Sequence, residues 1–101
     1  DVVLLGMGED GHTASLFPCA SALKDGLTTD ESALITRPKT ASHARVSMSR
    51  RRLQAADHGV IHITGEQKKT VLELASERDE EMRYPITAFL GSSGFDCWWA
   101  P

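Results

Sequence analysis

The chain is poor in several things that would each have named a function. It has two cysteines, Cys19 and Cys97, in 101 residues. They lie far apart, in no metal-ligand or redox spacing, which excludes zinc-ribbon and thioredoxin-type chemistry. They read as two reduced thiols in a cytoplasmic protein, and a disulfide joining them has nothing to support it. No apolar run approaches the roughly 20 residues of a membrane-spanning helix and no secretory signal pattern is visible, so no membrane partner is expected. Positive charge is not in excess: the formal net charge is −3 and the pI about 5.7, which argues against a nucleic-acid partner. The sharpest basic cluster, Arg50-Arg51-Arg52, reads as the solvated face of a helix. His43, His58 and His62 are scattered without metal spacing, and His62 alternates within a strand as a structural residue. Internal repeats, low-complexity tracts and linkers are also missing. What remains, 41% hydrophobic and 25% charged, is the composition of a globular protein with one domain's worth of chain at most.

One stretch is rich where the rest is plain. Asp1-Val2-Val3-Leu4-Leu5 reads as a buried strand. It runs into Gly6-Met7-Gly8-Glu9-Asp10-Gly11-His12, where three glycines permit a tight turn and close approach of a ligand. A strand end, a glycine turn and an Asp-Gly-His triplet suit the presentation of a base to a polar, phosphorylated ligand at the edge of an α/β sheet. The spacing Gly6-x-Gly8-x-x-Gly11 also matches the dinucleotide fingerprint. That motif needs a full helix from its third glycine, and Pro18 limits any helix there to about two turns. Asp30, near the ribose-acid spacing, does not sit at a strand end. No nicotinamide, flavin or other cofactor is therefore expected.

Periodicity places the remaining elements. Residues 13–17 can form a short helical turn stopped by Pro18. Residues 19–31 read as turn-rich, with Asp25-Gly26 as a turn. A short strand is expected over residues 34–36, loop over 39–44, and a strand over 45–49 with Val46 and Met48 on one face. A short helix over 50–56 closes near Gly59, and residues 60–64 form a β-branched strand. Glu66–Arg78 reads as an amphipathic helix through Val71, Leu72, Leu74 and Ala75. A loop with a short helix over 82–90, a turn over 91–94 and a closing strand over 95–99 complete the order. Strands alternating with helices imply a parallel α/β sheet with right-handed crossovers.

Several residues in this frame can carry chemistry. His12 suits a general base, since its side chain takes a proton near neutral pH and the turn exposes it at a strand's C-terminal end. Asp10 either orients the imidazole or caps the short turn that follows. The turn at Gly8 and Gly11 offers backbone N–H groups for a developing oxyanion. Lys68, in Thr64-Gly65-x-x-Lys68, stands where a strand passes into a helix N-terminus and suits a phosphate, against the alternative of an ordinary helix lysine. Ser15 lacks a nucleophile elbow and reads as a packing residue, and Gly91-Ser92-Ser93-Gly94 as a turn.

The run Leu5-Gly6-Met7-Gly8-Glu9-Asp10-Gly11-His12-Thr13-Ala14-Ser15-Leu16-Phe17-Pro18 resembles the signature of the 6-phosphogluconolactonases, which share a superfamily with the glucosamine-6-phosphate deaminases. The resemblance continues in Arg45-Val46-Ser47-Met48-Ser49, in Leu53-Gln54-Ala55-Ala56, in Val60-Ile61-His62-Ile63-Thr64-Gly65-Glu66-Gln67-Lys68-Lys69 and in Cys97-Trp98-Trp99. It covers nearly all of the chain in order. It implies a Rossmann-like three-layer α/β sandwich of the sugar-phosphate isomerase/lactonase type. Residues 1–101 would then form a single partial domain, the C-terminal portion of the whole. It implies hydrolysis of 6-phosphogluconolactone to 6-phosphogluconate, without a metal. It makes Lys68, rather than Lys69, the phosphate-contacting lysine, and leaves Arg45 either reaching substrate or pairing with a nearby acid. The pattern's two threonines are Ser47 and Ser49 here, and its Leu-Pro is Arg50-Arg51. The deaminases carry a glutamate shortly after the turn. Here Ser15-Leu16-Phe17-Pro18 stands in its place, with no carboxylate until Asp25, which favours the lactonase. The alternatives are a deaminase-like enzyme and an inactive fragment lacking an upstream phosphate-binding half. Oligomeric state is not legible.

Overall fold

A computed structural model describes residues 2–39, 43–90 and 94–101. The elements in chain order are β1 (Val2–Leu5), α1 (Leu23–Thr28), β2 (Ala33–Thr36), β3 (Arg45–Met48), α2 (Arg50–Gln54), β4 (His58–Thr64), α3 (Glu66–Arg78), a 3₁₀ helix (Pro85–Phe89) and β5 (Phe95–Ala100). β1, β4 and β5 form a parallel sheet in that order, with Leu5 beside Ile61 and Ile63 beside Trp99. β2 and β3 form a separate antiparallel pair, Ala33 opposite Met48 and Thr36 opposite Arg45. The expected parallel α/β sheet is therefore present, but β2 and β3 lie outside it. A helix-length crossover is needed between parallel neighbours, and the segment between β2 and β3 holds none among the described residues.

One face of the parallel sheet is buried. Leu5, Ile61 and Ile63 point to it and meet Leu16, Leu23, Leu27, Ala75, Ile86 and Phe89. Leu16, Leu23, Ile61, Ile86 and Phe89 are each 0% exposed, and full burial of such a side chain stabilises by about 1.5–3 kcal/mol. Phe89 meets Phe95 edge-on at 5.4 Å between centroids, and the Phe95 ring lies over Gly59, filling the space a Cβ would take. That contact explains why Gly59 belongs to β4 instead of closing the helix before it, as its composition suggested. The same logic corrects the Asp25-Gly26 turn. Both residues lie inside α1, where a Cβ on Gly26 would come within 2.5 Å of Leu16 Cδ2. The glycine lets the helix press Leu23 and Leu27, four residues apart, into the core.

Two further expectations change. Residues 13–17 do not form a helical turn. The Leu16 N–H donates to the Thr13 carbonyl at 2.9 Å and Ala14 has φ +50°, so the chain folds into a tight reverse turn. A left-handed alanine costs about 1–2 kcal/mol. It is offset where the Thr13 hydroxyl donates to the Gly6 carbonyl at 2.7 Å and the Ser15 N–H to Ser47 Oγ at 3.1 Å. In β3, Val46 and Met48 share a face as expected, but it is the outer one, and the buried side chain between them is Ser47.

The strand over residues 45–49 ends one residue early because Ser49 caps α2, its hydroxyl accepting from the Arg52 N–H at 3.2 Å and donating to the Glu31 carbonyl at 2.6 Å. α3 has the expected bounds. β4 begins at His58 and β5 runs to Ala100, slightly longer than periodicity gave. Much of the expected 39–44 loop and most of the 91–94 turn lie outside the described residues. No helix among the described residues is long and apolar enough to cross a membrane.

Candidate active site

β1 ends at Leu5, and the chain turns away through the glycines at the C-terminal edge of the sheet. The loop is closed from within: the Gly8 N–H donates to the His12 carbonyl at 2.9 Å and the Gly11 N–H to the Gly8 carbonyl at 3.0 Å. Gly11 has φ +86°, a conformation that glycine adopts without strain, and its carbonyl accepts from the Ile86 N–H at 2.9 Å. Tyr84 packs against it at 3.0 Å from the position of a Cβ. At Gly8 the space of a missing Cβ is filled by the His12 imidazole and by Asp10 Oδ1. The glycines thus do two things. Gly11 makes the bend, and Gly8 vacates the volume in which the His12 imidazole sits.

Asp10 Oδ1 accepts from the His12 N–H at 3.0 Å and lies 2.5 Å from His12 Nδ1. A carboxylate can only accept, so the neutral imidazole carries its proton on Nδ1 and keeps a lone pair on Nε2. A single Asp10 oxygen thus closes the turn and touches the ring. The pair is partly open to solvent, with side-chain exposures of 29% for His12 and 38% for Asp10.

His12 lines an open cavity of about 450 Å³ together with Gly6, Met7, Gly8, Thr13, Ala14 and Lys68. Lys68, half-buried in the first turn of α3, is thereby brought to the same cavity as the histidine although 56 residues separate them. Lys69 points elsewhere: its Nζ lies 4.5 Å over the Trp99 ring. Trp99 fixes the start of α3 by donating from Nε1 to the Gly65 carbonyl at 2.8 Å. Arg45 does not line the cavity; its guanidinium lies 5.5 Å over the ring of Phe17. The N–H groups of Gly8 and Gly11 are engaged within the loop and do not donate into the cavity; Gly8 lines it and Gly11 does not.

The remaining polar clusters are accounted for otherwise. A second depression, lined by Asp30, Arg50, Arg51 and Gln54, has its charges paired, Arg51 with Asp30 at 2.9 Å and Arg50 with Glu81 at 3.0 Å. Two of the three clustered arginines, Arg50 and Arg51, are thus ion-paired. Cys19 and Cys97 are not disulfide-bonded, and burial, with Asp96 adding to it, pushes the Cys97 thiol above its ordinary value. Among the described residues no group of three His, Cys, Asp or Glu side chains is placed to hold a metal ion. No helix starts at Gly11, the first being α1 at Leu23, so the loop lacks the helix N-terminus on which a dinucleotide pyrophosphate rests.

Inspection of the sequence missed Phe17, which stacks on His12 with ring centroids 4.2 Å apart and planes 22° from parallel. It also missed Ser47, which ties the 13–16 turn to β3. An aromatic five residues after a candidate base is the available signal for the first. The second depends on a contact across 32 residues and has no local signature.

A family model described as glucosamine-6-phosphate isomerases/6-phosphogluconolactonase matches residues 1–99. The 6-phosphogluconolactonase of Neisseria meningitidis serogroup A is 39% identical over 99 residues, covering 96% of this chain and 42% of that protein. The one from Rhizobium meliloti is 40% identical over 105 residues, covering 100% and 45%. The crystal structure of a 6-phosphogluconolactonase from Shewanella baltica superposes with a TM-score of 0.95 at 39% identity, over 100% of this chain and 44% of that one. The chain thus spans a little over two fifths of the length of these relatives. With a match across almost its whole length, and a fold to go with it, the chain belongs to the glucosamine-6-phosphate isomerase/6-phosphogluconolactonase family.

Proposed function

We propose that this chain carries the catalytic base of a 6-phosphogluconolactonase and hydrolyses 6-phosphogluconolactone to 6-phosphogluconate as part of the intact protein. The observation that carries the reading is the Asp10–His12 pair at 2.5 Å on a glycine loop whose cavity also receives Lys68. His12 Nε2 takes a proton from a water as the water oxygen attacks the C1 carbonyl of the lactone. The tetrahedral intermediate then collapses, the C1–ring oxygen bond breaks, and the proton returns to the departing alkoxide. Asp10 keeps the imidazole oriented and stabilises its protonated form while the proton is held. Lys68 supplies a cation for the 6-phosphate, and binding this remote group holds the reacting carbon near the base. Arg45, whose guanidinium lies 5.5 Å over the Phe17 ring and outside the cavity lining, is given no contact with the substrate.

The deaminase reading needs an additional acid/base group at the site. Among the described residues no carboxylate lines the cavity: Asp10 is held against His12, Glu9 is an exposed loop residue outside the lining, and Asp25 lies in α1. This supports the lactonase. The test is turnover of 6-phosphogluconolactone, above its spontaneous hydrolysis, by the intact protein and its His12→Ala variant. Loss in the variant supports the reading. Equal turnover removes His12 from the mechanism, and release of ammonia from glucosamine 6-phosphate would favour the deaminase.

A further inference from the structure

The hydrogen bond that Asp10 accepts from Nδ1 fixes one edge of the imidazole but leaves the ring free to tilt about the Nδ1···Oδ1 line. Nε2 lies on the far side of the ring, so a tilt swings its lone pair away from a bound water. A second restraint, acting on the ring's face, is required to define the plane. Phe17 supplies it. Its side chain is 5% exposed, and it stacks on His12 at 4.2 Å with an interplanar angle of 22°, within the range of favourable offset-stacked pairs. The ring is itself held: Pro18 follows it in the chain, and the Arg45 guanidinium at the start of β3 lies 5.5 Å from its centroid, within cation–π distance.

We propose that Phe17 is a positioning residue for the general base, setting the plane of the His12 imidazole as Asp10 sets its edge. The proposal rests on the reading of His12 as the base. Its consequence is specific. Loss of the ring acts on the chemical step and leaves substrate affinity nearly unchanged, because Phe17 does not line the cavity that takes the substrate. A small misplacement of a catalytic group costs up to about a hundredfold in rate.

The test compares Phe17→Leu, which keeps apolar bulk without a ring, with Phe17→Tyr, which restores the ring, in the intact protein. His12 is followed by its imidazole C–H resonances, assigned by their loss in His12→Ala. In the unmodified protein the stacked ring displaces these protons upfield. Expected are loss of that displacement in Phe17→Leu, a kcat lower by about tenfold to a hundredfold, a KM within about threefold, and recovery of both displacement and kcat in Phe17→Tyr. Wild-type kcat in a Phe17→Leu protein that has lost the displacement overturns the proposal, as does absence of the displacement in the unmodified protein. Should Phe17→Leu fail to fold, Phe17→Tyr decides: it must keep both the displacement and kcat, and loss of kcat with the displacement intact overturns the role. If His12→Ala retains full turnover, the base reading itself falls and takes this role with it. If His12→Ala is inactive while Phe17→Leu is not, only the positioning role falls.

Discussion

Residues 6–18 and the outer face of the parallel sheet adjoin at β1 and are built on opposite plans. In the loop four hydrogen-bonded contacts join residues no more than seven apart: Gly8 with His12, Gly11 with Gly8, Asp10 with His12, Thr13 with Gly6. On the outer face, Val2, Leu4 and Trp98 stand 71%, 67% and 60% exposed, in register with His58, Val60 and His62 of the central strand respectively. The second sheet repeats this, with Ile35 and Val46 more than half exposed. The site is specified by its own neighbourhood, whereas the sheet that holds it presents apolar area that nothing among the described residues covers. Chemistry and stability are therefore separable here, and each can be attacked without the other.

The largest effect is expected from expressing the 101-residue span by itself. Its outer faces favour association or partial unfolding, and lost positioning in a site can reach ~7–11 kcal/mol in the best cases. Sedimentation together with a lactonase assay should show self-association and little or no turnover. A folded monomer with full activity would abolish the contrast between loop and sheet. Next is His12→Ala in the intact protein, where turnover should fall about 10²–10⁴-fold with an unchanged melting temperature. A large drop in melting temperature would mean that the loop also bears on stability.

The candidate site's geometry was the most legible part of the chain. His12, Asp10 and Lys68 are singled out by a strand end, a glycine turn and a helix start, all local patterns, and the structure pairs the first two and brings Lys68 to the same cavity as His12. Less legible was everything decided by distant packing. Gly26 and Gly59 looked like turn and helix-end residues. Each instead gives room to a side chain far along the chain, Leu16 in one case and Phe95 in the other. Val46 and Met48 showed a strand's alternation correctly, but alternation does not reveal which face is covered. The reverse turn at Ala14 was hidden because a left-handed alanine has no compositional mark.

Smaller effects sharpen the comparison. Lys68→Ala should raise KM for the phosphorylated lactone about 10- to 150-fold, the equivalent of a charged hydrogen bond of about 1.5–3 kcal/mol, and leave a non-phosphorylated lactone little affected. Equal losses on both substrates would make Lys68 structural. Gly59→Ala should destabilise by about 1–3 kcal/mol in denaturant titration, because its methyl group meets the Phe95 ring, while kcat stays unchanged in the folded fraction. Smallest is Cys97. Burial and Asp96 raise its pKa, so less thiolate is present at neutral pH. Its alkylation at pH 8 should lag behind a model thiol and speed up in Asp96→Asn.

Asp10 Oδ1 receives both the main-chain N–H of His12 and the Nδ1 of the same residue. The imidazole is thus referenced to its own backbone, not to a distant scaffold. Whatever rearrangement the surrounding protein undergoes on binding, the contact between imidazole and carboxylate is made within three residues and moves with the loop, while the tilt of the ring is left to Phe17. The cost is genetic. A substitution at Asp10 loosens the bend and frees the ring at once, so no single change at that position can adjust one property while sparing the other.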